Sequence, residues 1–94
     1  MNITNIAAIV LAARTVGTPT KRHVDGVTVH QLSLHGQSPG QTVDFTLREG
    51  HRRWCLAAVT DDQGTALPAR TLGRRLSARL TDLHAQAVDR PTSL

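Results

Sequence analysis

Arginine is the residue type in this sequence of 94 residues that points most clearly to ligand binding. Lys21 is the single lysine among the 11 basic residues, so the other ten are arginines. A guanidinium group presents a planar fork of donors that binds phosphate or carboxylate at two points, whereas an ammonium is a point charge. With a net charge of +4, this composition favours a nucleic acid or an acidic protein as partner. A GC-rich genome would enrich arginine in the same way without any binding role.

Two groups of arginines are the candidate phosphate contacts. Four lie within the ten residues 70–79, and the first acidic residue after them is Asp82. Two more lie together after a predicted turn. The candidate nucleic-acid-binding residues are Arg52, Arg53, Arg70, Arg74, Arg75 and Arg79. The hydroxyls of Ser77 and Thr81 are expected to assist phosphate binding. The alternative is a solvated face, because charged residues cover the outer side of any amphipathic helix.

The histidines, the cysteine and the aspartates predict neither a metal site nor a catalytic centre. His51 and Cys55 are four residues apart, which on a strand separates them by about 13 Å, too far for one tetrahedral ion. Cys55 lies in an apolar run that is typical of a small core residue. Asp61 and Asp62 are adjacent in a predicted turn, so their side chains point apart. We therefore expect no metal, no cofactor and no enzymatic activity.

Cysteine usage and hydropathy bear on the cellular compartment. A single cysteine excludes an internal disulfide, and with it a disulfide-stapled secreted scaffold. The longest apolar run, 6–13, has eight residues and is far shorter than a membrane span. No basic residue precedes it, unlike in a signal peptide. We therefore expect a cytoplasmic protein that makes no membrane contact.

The C-terminal part of the chain carries the clearest helical pattern. Its apolar residues recur at spacings of four, four, three and four, which places them within about 80° of arc on a helix. These residues are Leu72, Leu76, Leu80, Leu83 and Ala87. The stripe predicts a helix over 69–88 that docks on a core, followed by a tail over 89–94. Pro68 suits the first turn of such a helix.

Three strands are predicted before this helix, over 27–35, 42–48 and 53–60. In the second, Val43, Phe45 and Leu47 alternate with polar residues, as in a half-buried strand. In the first strand, the apolar residues change from one face to the other partway along, which a β-bulge near Gln31 would accommodate. Turns are predicted at 36–40, at 49–50 and at 61–64, the last with a short fourth strand over 65–67 as an option. The polar stretch 18–23 is interpreted as a linker.

The N-terminal segment 2–16 has features of both a helix and a strand. Its alanines and Leu11 favour a helix, whereas its isoleucines and Val10 favour a strand. We predict a helix here.

The pairing of the second and third strands has two possible registers. A two-residue loop places Phe45 opposite Trp54, and a three-residue loop places Phe45 opposite Cys55 and turns Trp54 to the other face. Both faces of 54–60 are largely apolar, so we expect this strand to be covered on both faces. Either the N-terminal helix covers the second face or a second copy of the chain does, which would make a homodimer.

Together these patterns predict a single small α+β domain over 1–94. It consists of an antiparallel sheet of three or four strands, a C-terminal amphipathic helix packed on one face, and an N-terminal helix. The order of elements resembles that of double-stranded-RNA-binding domains in arrangement only, because 67–71 lacks the lysine-rich start of that family's second helix. The predicted function is a small basic binding protein that contacts nucleic-acid phosphates through these arginines. The alternative is a homodimeric protein–protein interaction module, an adaptor or inhibitor acting through a sheet face or edge.

Overall fold

The computed structural model describes residues 3–12, 14–60 and 67–89. The elements in chain order are α1 (Ile3–Ala12), β1 (Thr20–Val24), β2 (Val27–His35), β3 (Thr42–Arg48), β4 (Cys55–Thr60), β5 (Arg70–Thr71) and α2 (Arg74–Val88). The strands form one five-stranded antiparallel sheet in the order β1-β2-β3-β4-β5. The predicted α+β class is confirmed, with five strands where three or four were expected.

Both helices pack on the same face of the sheet. They contact each other and share one buried apolar cluster with the strands. The cluster comprises Ile6, Ile9, Val10, Leu32, Leu34, Val43, Phe45, Trp54, Leu56, Leu72, Leu80 and Leu83. Of the stripe predicted from spacing, α2 buries Leu80 and Leu83 and partly buries Leu76, whereas Leu72 is buried in the same cluster but precedes the helix. Removing this much apolar surface from water is the main driving force for the arrangement.

The N-terminal helix is shorter than the predicted range 2–16. It ends at Ala12, and the chain then joins the edge of the sheet. Val16 N–H donates to the Ser33 carbonyl at 2.9 Å, and His35 N–H donates to the Arg14 carbonyl at 2.9 Å. Thr15 and Val16 are β-branched and precede Gly17, which disfavours continuation of the helix and favours this extended pairing.

The predicted linker over 18–23 is wrong, because Thr20–Val24 forms β1. Asp25 and Gly26 have φ values of 52° and 79°, as in the two-residue type I′ turn that joins β1 to β2. All five residues of β1 are exposed. An exposed edge strand needs no apolar alternation, which is why its sequence has the composition of a linker.

The bounds predicted for β2 and β3 are confirmed, whereas β4 begins two residues later than predicted. The turn at Glu49-Gly50 is also confirmed, since His51 N–H donates to the Arg48 carbonyl at 2.9 Å and Gly50 has a φ of 89°. Neither predicted register occurs: Phe45 pairs with Leu56. The chain between the turn and β4 remains outside the ladder until Cys55, so the effective loop is longer than two or three residues.

The β-bulge lies in β4 rather than near Gln31. The β2 ladder is continuous, whereas Asp44 pairs with Ala58 and Phe45 with Leu56, which leaves Ala57 as the extra residue. Leu56 and Val59 therefore share the core face although they are three residues apart.

The second sheet face carries polar residues. This open face carries Gln31, Ser33, Asp44, Thr46 and Cys55, and no described helix covers it. Ser33 Oγ donates to Asp44 Oδ1 at 2.6 Å across it. The expectation of two apolar, covered faces on β4 is therefore wrong, and the homodimer prediction loses that support while remaining a prediction.

Helix α2 begins at Arg74, five residues later than the predicted start. Arg70–Thr71 instead forms β5, which pairs with β4, and Leu72 N–H donates to the Trp54 carbonyl at 2.8 Å. The predicted end at residue 88 is confirmed. The predicted turn 61–64, residues 65–66 and the tail residues 90–94 lie outside the described residues, and Leu67 belongs to no strand.

Candidate nucleic-acid interface

Trp54 anchors the loop between β3 and β4 to helix α2. Its side chain is 1% exposed. Its backbone N–H donates to Ser77 Oγ at 3.0 Å, and its indole Nε1–H donates to Thr81 Oγ1 at 3.1 Å. Together with the Leu72 hydrogen bond to its carbonyl, these contacts hold the loop against the first two turns of α2.

Arg52 and Arg53 precede this anchor and are therefore held beside α2. Across from them lie Arg74, Ala78 and Thr81, which share one side of α2 at positions i, i+4 and i+7. These five residues line a depression of about 410 Å³, which we call the arginine groove. All three arginines are exposed, and no acidic residue is among the described residues that line the groove.

The start of α2 adds a further positive potential to the arginine groove. The N-cap residue Gly73 makes no side-chain capping hydrogen bond, and the first turn contains no acidic residue but does contain Arg74 and Arg75. A helix N-terminus carries partial positive charge and disfavours cations. Arg74, which lines the groove, therefore lies where the helix N-terminus also favours an anion.

The structure brings together half of the six predicted contact arginines, namely those of the arginine groove. Arg75 is exposed in the first turn of α2, and Arg79 is half-buried one turn later. Arg70 was expected on the helix but lies exposed on β5, where it pairs with Leu56. None of these three lines the groove.

The hydroxyls that were expected to assist phosphate binding are used internally. Ser77 is 2% exposed, and its Oγ accepts from Trp54 N–H. Thr81 Oγ1 accepts from the indole and donates to the Ser77 carbonyl at 3.0 Å. The two residues position the loop, and the arginines are the groove's charged groups. Sequence spacing alone gave no sign of this role, because it depends on how far the loop runs before β4.

The aromatic side chains are not available for stacking on bases. Phe45 and Trp54 are the only aromatic residues of the chain, and they are 0% and 1% exposed. Single-strand binding proteins usually present exposed aromatic platforms to successive bases. Trp54 is therefore a core residue.

His84 on α2 lies between Trp54 and His30 of β2. The ring centroids are 5.6 Å from Trp54 and 5.4 Å from His30. Burial lowers the pKa of His84 below its ordinary value of 6.5, and charge on His30 and Lys21 lowers it further. Among the described residues, the buried Nδ1 of His30 has no hydrogen-bond partner.

Acidification is expected to lower the stability of the protein through His84. Between its lowered folded pKa and the ordinary 6.5, only the unfolded chain binds the proton, so stability decreases as the pH falls below about 6.5. Urea unfolding followed by circular dichroism at about pH 7.5 and about pH 5.5 measures this effect. His84→Gln is expected to reduce the difference between the two pH values, whereas His51→Gln, at an exposed loop position, is expected to preserve it. An equal pH dependence in the two variants would contradict the assignment.

Outside the arginine groove, Cys55 lies on the open face with its Sγ 3.6 Å from Thr71 Oγ1. Within the described ranges there is no group of three or more metal-ligating side chains. Neither α1 nor α2 is long and apolar enough to cross a membrane.

Comparison with protein-family models, curated proteins and solved structures finds no match to this chain.

Proposed function

We propose that the protein binds duplex nucleic acid by contacting the phosphate backbone with the arginine groove. The observation that carries this proposal is the convergence of Arg52, Arg53 and Arg74, from two separate elements, on one depression at the start of a helix. Guanidinium groups and helix N-termini are both among the protein groups that contact nucleic-acid phosphates without reading base sequence. The net charge of +4 adds long-range attraction for a polyanion.

The burial of both aromatic residues favours a duplex over a single strand. With no aromatic platform, the groove offers charge but no stacking surface. The Ser77 and Thr81 hydroxyls are occupied, so the groove also lacks free hydroxyls for base edges. We therefore expect binding that depends on phosphate spacing and varies little with base sequence.

The salt dependence of binding tests this proposal. Fluorescence anisotropy of a labelled duplex of about 20 base pairs is measured over a series of NaCl concentrations. Neutralisation of three phosphates predicts a slope of log affinity against log salt of about −2.7 on duplex DNA. Arg74→Ala should reduce the slope to about −1.8, because one phosphate contact is lost.

The matched control is Arg70→Ala, which removes the same charge from an exposed position outside the groove. Its slope should stay near that of the unmodified protein. Absence of binding at about 50 mM salt, where screening is weak, overturns the proposal. So does an equal change of slope in the two variants.

A further inference from the structure

The strand β1 is an edge of the sheet with exposed side chains along its whole length. Its position at the end of the strand order leaves β2 as its only neighbour among the described strands. All five residues, Thr20–Val24, are exposed. Such an edge presents unpaired backbone groups that can hydrogen-bond to another extended chain.

The hydrogen-bond pattern of β2 identifies which backbone groups of β1 face outward. Glu49 N–H donates to the Thr28 carbonyl at 2.9 Å, so the even-numbered residues of β2 bond to β3. The odd-numbered residues therefore bond to their β1 partners, which are Thr20, Arg22 and Val24. The N–H and C=O groups of Lys21 and His23 consequently point away from the sheet.

The side chains near these outward-facing backbone groups are basic on both faces of the sheet. Lys21 pairs with His30 on the helix-covered face, and His23 lies on that face as well. Arg22 lies on the open face in one row with Val29 and Arg48. A strand added next to β1 would therefore meet positive charge above and below its own backbone.

We propose that this edge, Thr20–Val24, binds an acidic extended peptide as a sixth antiparallel or parallel strand. Main-chain hydrogen bonds to Lys21 and His23 supply binding, and carboxylates beside Lys21 and Arg22 supply selectivity. The proposal does not depend on nucleic-acid binding, because the arginine groove contains none of these residues.

Charge and backbone pairing favour this occupant over two other polymers, a second copy of the chain and a nucleic acid. Antiparallel pairing with a second copy centred on Lys21 or on Arg22 places like charges opposite each other, which is destabilising. A register centred on His23 avoids this, so sedimentation decides whether a second copy uses the edge. A nucleic acid offers phosphates to the side chains but cannot continue the alternating backbone ladder of a sheet. An acidic peptide satisfies both the ladder and the charges.

The test uses a fluorescein-labelled peptide of about eight residues that alternates glutamate with valine or threonine. Its anisotropy is titrated with the full chain at about 50 mM NaCl, where screening is weak. Replacing every glutamate with glutamine should weaken binding by about tenfold or more. Methylating the backbone nitrogens of the glutamate peptide should also abolish binding, because the ladder then loses its donors.

On the protein side, the double variant Lys21→Glu with Arg22→Glu should lose peptide binding. The matched control is Arg74→Glu with Arg75→Glu, which changes the net charge equally at the start of α2 and should retain peptide binding while losing the labelled duplex. Circular dichroism is used to check that both variants fold.

Three results overturn the proposal. The first is equal binding of the glutamate peptide and its methylated copy, which would indicate charge attraction without strand pairing. The second is an equal loss of peptide binding in both double variants. The third is a dimer in sedimentation that disappears in the β1 variant, which would assign the edge to a second copy.

Discussion

Replacing Trp54 with alanine is expected to lower the free energy of unfolding by about 3–5 kcal/mol. The indole is 1% exposed and is among the largest side chains fully buried in the protein. The substitution also leaves a cavity between the sheet and α2 and leaves Thr81 Oγ1 without its indole donor. Since native proteins are stable by only about 5–15 kcal/mol in total, the variant would lose a substantial fraction of its stability.

Trp54→Phe is the control for this prediction. It keeps an aromatic ring in the core but removes the indole N–H that donates to Thr81, so its cost should be clearly smaller, about 1–3 kcal/mol. Urea unfolding followed by circular dichroism measures both variants, since neither retains tryptophan fluorescence. A loss below about 1 kcal/mol for Trp54→Ala would show that the indole is not the anchor described above.

Arg74→Glu is expected to change stability and binding in opposite directions. A carboxylate in the first turn interacts favourably with the helix dipole, so the free energy of unfolding should rise by about 0.3–1 kcal/mol. The same change removes one of the three guanidinium groups of the arginine groove and puts a negative charge there. Affinity for a labelled duplex at about 50 mM salt should therefore fall by about tenfold or more.

Arg75→Glu separates these two effects. Arg75 also lies in the first turn of α2 but does not line the groove. It should give a similar gain in stability with a smaller loss of affinity. Thermal unfolding and duplex anisotropy on both variants provide the comparison, and equal losses of affinity would place the binding surface outside the groove.

Local patterns in the sequence were sufficient for the elements that bury one regular face. Leu80 and Leu83 recur with helical spacing, and Val43 and Phe45 alternate with polar residues, so α2 and β3 follow directly from periodicity. The two groups of arginines were also identified from the sequence as the candidate site. The spacing of apolar residues identifies the buried side of a helix or strand, and it does so wherever the element buries only one side.

Elements without such a side were missed or misplaced. Every residue of β1 is exposed, so no apolar alternation marks it, and only the Asp25-Gly26 pair indicates the hairpin. The bulge was expected near Gln31 but lies at Ala57, because β2 is a regular strand that buries Val29 on the open face and Leu32 on the core face, so its change of apolar face needs no extra residue.

The sequence by itself determined the α+β class, the apolar stripe of α2 and the presence of an arginine cluster in this part of the chain, because these depend on residue types at short spacing. Only the tertiary structure decided that Arg52 and Arg53 lie beside Arg74 while Arg70 lies elsewhere. That proximity depends on the length of the loop before β4 and on the hydrogen bonds of Trp54 to α2. Such contacts join residues more than 20 positions apart, and no local pattern in a chain specifies them.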